Sequence, residues 1–171
     1  MDLSLYVITD SQLLQGRSHI EIAKAAIAGG ATAIQFREKD MSTREMIDIA
    51  REIRVLTLRT GVTYIVNDRV DVALAVDADG VHVGQDDMPA PLARRLIGKE
   101  KILGVSASNL EEALKAEREG ADYIGVGSIY STASKPDAGT PVGLGVLAEI
   151  ASRVSIPVIA IGGIKEENVG E

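Results

Sequence analysis

The sequence contains no cysteine and no tryptophan, and it has only one phenylalanine and two histidines in 171 residues. Without cysteine, disulfide cross-links and thiolate nucleophiles are excluded. Scarce aromatic rings leave almost no platform on which nucleic-acid bases could stack. Basic charge is also short: 18 Lys and Arg stand against 25 Asp and Glu, a formal net charge of −7. A general nucleic-acid binder needs a basic face, so that class is set aside; a small anion needs only local positive charge. No apolar run is long enough to span a bilayer, so no membrane partner is expected. The opening MDLSLYVITD is acidic and passes straight into a strand-like run, so no signal peptide is expected. A cytoplasmic location fits the missing cysteines. Self-association as a homo-oligomer stays open.

What the sequence does have is alternation. Short β-branched runs (5–10, 33–39, 63–68, 80–85, 101–107, 122–130 and 157–163) alternate with helical-period segments near 19–29, 43–60, 70–76, 90–97, 110–119 and 144–153. The helix after Ser42 is the clearest, with a stripe of Met46, Ile49, Ile53 and Leu56 and a capping box from Ser42 and Glu45. Strand–helix alternation without hairpin signals predicts parallel strands joined by right-handed crossovers. Seven strands and six helices fit an α/β (β/α)8 TIM barrel lacking its last βα unit, as a single domain over residues 1–171. The tail IGGIKEENVGE reads as the start of a seventh helix.

The polar residues gather at the C-terminal ends of these strands, where barrels of this kind carry their sites. In AIQFREK, period two puts Gln35, Arg37 and Lys39 on one face and Ile34 and Phe36 on the other. Two cations on an inward face need an anionic partner. Arg37 offers a planar fork for phosphate oxygens, and Lys39 and Lys135 offer compact charges. The alternative for Arg37 is an ion pair with an acid of the next strand, and for Lys135 a solvated loop lysine. Asp68 and Asp87 follow strand ends directly and suit Mg²⁺, which keeps water and takes phosphate oxygens as further ligands. Taken alone, Asp68 reads better as the N-cap of the helix that follows. The loop STASKPDAGTPV (131–142) is long for a βα connection and brings the hydroxyls of Ser131, Thr132 and Ser134. Gly125 and Gly127 leave room at the strand end, and Gly162–Gly163 let backbone N–H groups approach a phosphate. His82 reads as a core histidine and His19 as an exposed helix start.

Together these segments resemble the thiamine-phosphate synthase (thiamin phosphate pyrophosphorylase) family. The motifs that carry the resemblance are QFREK, VNDR-x-D-x-A (66–73), ADGVHVGQDD (78–87), GVSA (104–107) and GADYIGVGSIYSTASKPDA (120–138). The resemblance implies a Mg²⁺-dependent transferase of thiamine biosynthesis. It joins 4-amino-2-methyl-5-hydroxymethylpyrimidine pyrophosphate to 4-methyl-5-(2-phosphoethyl)thiazole, releasing pyrophosphate through a pyrimidine-methyl cation. It implies that Asp68 and Asp87 bind the metal and that Gln35, Arg37, Lys39, Asn67, Ser106 and Lys135 hold the pyrimidine pyrophosphate. It gives Arg37, Lys39, Ser106 and Lys135 catalytic duty, and it places the thiazole phosphate on Thr132, Ser134 and Gly163. Two departures stand out: Ser134 occupies a position where the family often has Thr, and the strand-eight loop completing the thiazole-phosphate site lies outside these residues. A thiazole tautomerase of the same fold, a non-catalytic barrel binding thiamin phosphates and a generic phosphosugar barrel enzyme are the alternatives. QFREK, VND, QDD and STASK together favour the synthase.

Overall fold

The computed structural model describes residues 1–132 and 140–171, in two compact units. The first comprises Met1–His82 with Arg95–Ile102, and the second Val83–Arg94 with Leu103–Glu171. Ser134 and Lys135 lie outside the described residues. The first unit runs β1 (Tyr6–Asp10), α1 (His19–Ala28), β2 (Ala33–Arg37), α2 (Thr43–Thr60), β3 (Thr63–Asn67), α3 (Val70–Ala75) and β4 (Gly80–Val83). A 3₁₀ turn at Ser11–Leu13 follows β1. α4 (Ala90–Ile97) crosses the division. The last residue of β4, Val83, and β5 (Ile102–Ala107) from Leu103 onward fall in the second unit, which continues with α5 (Leu110–Arg118), β6 (Tyr123–Gly127), α6 (Gly143–Arg153) and β7 (Val158–Ile161). The strand pairs β1–β2, β2–β3 and β3–β4 are parallel, as are β5–β6 and β6–β7. The expected parallel α/β pattern is therefore present.

Local signals set the helix ends. Ser42 and Glu45 form the expected capping box, with Ser42 N–H donating to Glu45 Oε2 at 3.0 Å. Ser18 and Glu21 repeat it at the start of α1. The buried stripe of α2 is rotated from the expected one: Met46, Ala50, Ile53 and Thr57 are buried, while Ile49 and Leu56 flank it half-buried. Small side chains at 50 and 57 alternate with Met46 and Ile53 along the buried stripe. Ile34 and Phe36 are fully buried, each worth about 1.5–3 kcal/mol of transfer energy. The tail departs from expectation as well. Residues 166–170 form turns rather than a helix, and the Asn168 carboxamide oxygen accepts the Lys165 N–H at 2.7 Å.

One core position carries a polar cost. The Tyr64 hydroxyl is buried without a hydrogen-bond partner among the described residues. Burial pushes its pKa far up, against the lowering influence of nearby Arg54. Its backbone is well held, because the Tyr64 N–H donates to Asp79 Oδ2 at 2.8 Å and Asp79 Oδ1 pairs with Arg54 at 2.9 Å. Tyr64→Phe is expected to hold or raise Tm, since removing a desolvated hydroxyl without a partner is neutral or worth up to about 1 kcal/mol. A thermal melt that falls by several degrees would reveal a hydrogen bond at that oxygen.

Candidate active site

The register of β1 and β2 places Asp10 beside Arg37 and Ile8 beside Gln35. Along this face of β2 exposure rises from 3% at Gln35 to 15% for the Arg37 side chain and 46% for that of Lys39. Gln35 is the deep residue and Lys39 the rim. Gln35 Nε2 donates to the Tyr6 hydroxyl at 2.8 Å. Arg37 Nη1 donates to Asp10 Oδ2, and Asp10 Oδ1 accepts the Gln12 N–H at 3.0 Å. Arg37 is thus ion-paired, but its partner Asp10 comes from the preceding strand and not from the next one. A guanidinium has five N–H donors, so a contact through Nη1 leaves a fork to offer an anion.

Lys39 Nζ donates to Asp68 Oδ2. Asp68 follows β3 with φ 59, in the left-handed region. Its N–H donates to the His82 carbonyl at 2.7 Å, extending the β3–β4 ladder. The structure corrects the capping expectation for Asp68: the N-cap of α3 is Arg69, whose own side chain makes no cap bond. The αL turn aims the Asp68 carboxylate toward Lys39 instead. Arg69 in turn grips Asp71 at 2.6 Å and Thr43 Oγ1 at 2.8 Å, tying the β3–α3 turn to the start of α2. Asn67 is buried at the end of β3, and its carbonyl accepts the Arg69 N–H at 2.6 Å.

His19 corrects the sequence reading outright. It is 1% exposed, not solvated, with Nδ1 2.8 Å from Thr9 Oγ1 and Nε2 3.1 Å from Glu38 Oε2. The strand pattern of YVITD hides this, because Thr9 and His19 are ten residues apart. His82 is buried in β4, as a core histidine should be. Asp10, Tyr6 and Glu38 were missed as partners. The signal for Asp10 was available: YVITD alternates with period two, and aligning it in parallel with AIQFR faces Asp10 onto Arg37.

In the second unit, Asp87 Oδ2 accepts the Gly84 N–H at 2.9 Å, which folds the turn after β4 around the carboxylate. Gln85 Nε2 donates to the Ser106 carbonyl at 2.7 Å. Ser106, half-buried in β5, sits beside Gly125 in register. The segment after β6 remains tied to the end of β7, with Ile129 N–H donating to Ile161 O and Tyr130 N–H to Gly162 O, both at 2.9 Å. Thr132 and Gly163 are half-buried on these two segments. Gly127 has a reason other than ligand space, because a Cβ there would overlap the Ile161 carbonyl. Among the described residues, no group of three or more His, Cys, Asp or Glu gathers as a metal site.

In the first unit, strand ends on a parallel α/β frame bear cations matched to carboxylates, Arg37 with Asp10 and Lys39 with Asp68. Residues 5–171 match the model of the family described as thiamine monophosphate synthase, and the chain belongs to that family. It is 63% identical over 171 residues to the thiamine-phosphate synthase of Chloroflexus aurantiacus, covering 100% of this chain and 79% of that protein. It is 56% identical over 164 residues to the thiamine-phosphate synthase of Moorella thermoacetica, covering 96% and 78%. Among solved structures it superposes on the thiamine phosphate pyrophosphorylase of Pyrococcus furiosus with a TM-score of 0.87 and 47% identity, covering 97% of this chain and 78% of that one.

Proposed function

We propose that this chain is a thiamine-phosphate synthase, a transferase joining the pyrimidine pyrophosphate to the thiazole phosphate with release of pyrophosphate. The observation that carries this is 63% identity to a thiamine-phosphate synthase along the whole chain, with the QFREK, VND and QDD segments intact. In the proposed chemistry the bond between the pyrimidine methylene carbon and the pyrophosphate oxygen breaks, and its electron pair leaves with pyrophosphate. The thiazole nitrogen lone pair then closes on the methylene carbon. Arg37 and Lys39, with Lys135 and Ser106, stabilise the charge that builds on the leaving group, which is where fixed electrostatics lower a barrier most. Gln35 and Asn67 orient the pyrimidine end. Thr132, Ser134 and Gly163 hold the thiazole phosphate. No protein nucleophile is required.

Asp68 and Asp87 are the proposed metal carboxylates. Their donor set is hard oxygen only, which fits Mg²⁺, an ion that draws its other ligands from water and phosphate. Bound there, Mg²⁺ supplies neutralisation of the pyrophosphate charge. The Lys39–Asp68 pair, with Lys39 46% exposed at the rim, lies near the surface range of about 0–1 kcal/mol. Exchanging it for a phosphate on Lys39 and a cation on Asp68 therefore costs little.

The finer reading of the fold is a single (β/α)8 barrel domain, of which residues 1–171 supply seven strands. The protein acts on small molecules in the cytoplasm; among the described residues, no helix is long and apolar enough to cross a membrane. The deciding assay mixes both substrates with Mg²⁺ and follows pyrophosphate and thiamin phosphate together. Both products are expected in equal amounts. Conversion of the thiazole alone into its isomer would assign the tautomerase reaction instead.

A further inference from the structure

The proposed reaction leaves one buried titratable cluster unused. His19 and Glu38 are 1% and 4% exposed, and they meet at 3.1 Å. Phe36 stands edge-on to the imidazole, with ring centroids 4.9 Å apart and planes at 84°. In the neutral ring, Nε2–H donates to Glu38 and the Thr9 hydroxyl donates to Nδ1. The other Glu38 oxygen, Oε1, accepts the backbone N–H groups of Lys39 and Asp40, both at 2.7 Å, and the Ser11 hydroxyl at 3.4 Å. Burial would raise the Glu38 pKa, but the Asp40 N–H, His19 and the Lys39 N–H outweigh it and hold the carboxyl below its ordinary range.

Burying a carboxylate costs several kcal/mol unless its lone pairs are met. An ordinary turn would satisfy the same two N–H groups with solvent or a short exposed side chain. Here the buried carboxylate is fastened from behind by a histidine from α1, and its front oxygen grips the two peptide units that carry the chain out of β2. One of those peptide units belongs to Lys39. We infer that the His19–Glu38 pair is a positioning device that fixes the turn after β2 so that Lys39 meets pyrophosphate. This rests on the reading of Lys39 as a pyrophosphate-binding cation. Neither His19 nor Glu38 touches substrate in this account, so both act through Lys39.

The test uses inorganic pyrophosphate with Mg²⁺ as a product inhibitor of the purified chain, alongside KM for each substrate. Glu38→Ala is expected to weaken pyrophosphate inhibition and raise KM for the pyrimidine pyrophosphate about tenfold, the scale of one lost hydrogen bond to a charge. KM for the thiazole phosphate stays unmoved. Glu38→Gln restores most of the loss, because its amide oxygen still accepts both N–H groups. In a Lys39→Ala background, Glu38→Ala adds less than about twofold, since coupled residues are not additive. A full tenfold loss in that background, or equal loss for both substrates, overturns the inference. If Lys39→Ala alone leaves pyrophosphate inhibition at parental strength, the reading of Lys39 fails first and takes the inference with it. Should Glu38→Ala not fold, His19→Asn decides the matter. It keeps the two turn bonds and removes the ring donor, so about a threefold loss for pyrophosphate alone is expected, and no loss overturns the positioning role.

Discussion

Asp68→Gly is expected to slow Mg²⁺-dependent turnover about a hundredfold or more while leaving Tm within a few degrees of the parent. The two halves of this result have separate origins. Asp68 sits at φ 59, a left-handed conformation that costs a side-chain-bearing residue about 1–2 kcal/mol and glycine almost nothing. Against that relief stand the lost pair with Lys39, about 0–1 kcal/mol, and the extra freedom of glycine in the unfolded chain, about 0.4–1 kcal/mol. The terms nearly cancel. A residual of about 1 kcal/mol moves Tm by roughly 2–4 °C in a chain of this size. Alanine is a poorer probe, because it keeps the strain and discards the carboxylate.

Activity has no such compensation. The αL turn sets the Asp68 carboxylate against Lys39, and left-handed conformations of this kind cluster at functional sites. Turnover at the parental rate in Asp68→Gly, with its Mg²⁺ dependence intact, would remove Asp68 from the metal site. Asp68→Asn separates charge from geometry. It tolerates the same backbone and should be as slow as the glycine variant if the carboxylate charge is what matters.

The parts of this fold that were readable in the sequence are those fixed by neighbours in the chain. α2 (Thr43–Thr60) and α4 (Ala90–Ile97) begin and end where expected, and for α2 a capping box and a glycine punctuate it within a few residues. The C-terminal ends of β2, β3, β4, β6 and β7 were over-extended by one to three residues, because alternation continues past the last ladder bond. Along AIQFREK the order of burial was legible: Gln35 is buried, Arg37 half-buried and Lys39 the most exposed of the three. Pairing was not legible. The partner of Arg37 lies 27 residues away and that of His19 lies 19 away, so both emerge only once strand register is known. A histidine opening a helix reads as solvated from its own sequence, and only the packing of α1 against the sheet reverses that.

The second large effect concerns Gly162, and Gly30 supplies its control. Their backbones are nearly identical, with φ +94 and +92, so alanine at either position incurs the same left-handed penalty of about 1–2 kcal/mol. Their surroundings differ. A Cβ on Gly30 meets nothing within 4 Å, whereas on Gly162 it would lie 2.6 Å from Ser128 Oγ, 2.8 Å from its Cα and 2.9 Å from its Cβ. Ser128 cannot easily retreat. It is buried, its hydroxyl donates to the Tyr130 carbonyl at 2.5 Å, and its own carbonyl accepts the Val142 N–H at 2.8 Å. Overpacking of this kind adds about 1–3 kcal/mol. Gly162→Ala should therefore lower Tm by roughly 10 °C, against roughly 4 °C for Gly30→Ala, at the usual 2–4 °C per kcal/mol. The displaced segment leads to Thr132, so Gly162→Ala should also raise KM for the thiazole phosphate while Gly30→Ala leaves it alone. Equal melting losses in the two variants would show that the segment after β6 yields freely, and the close contact between Gly162 and Ser128 would then hold nothing in place.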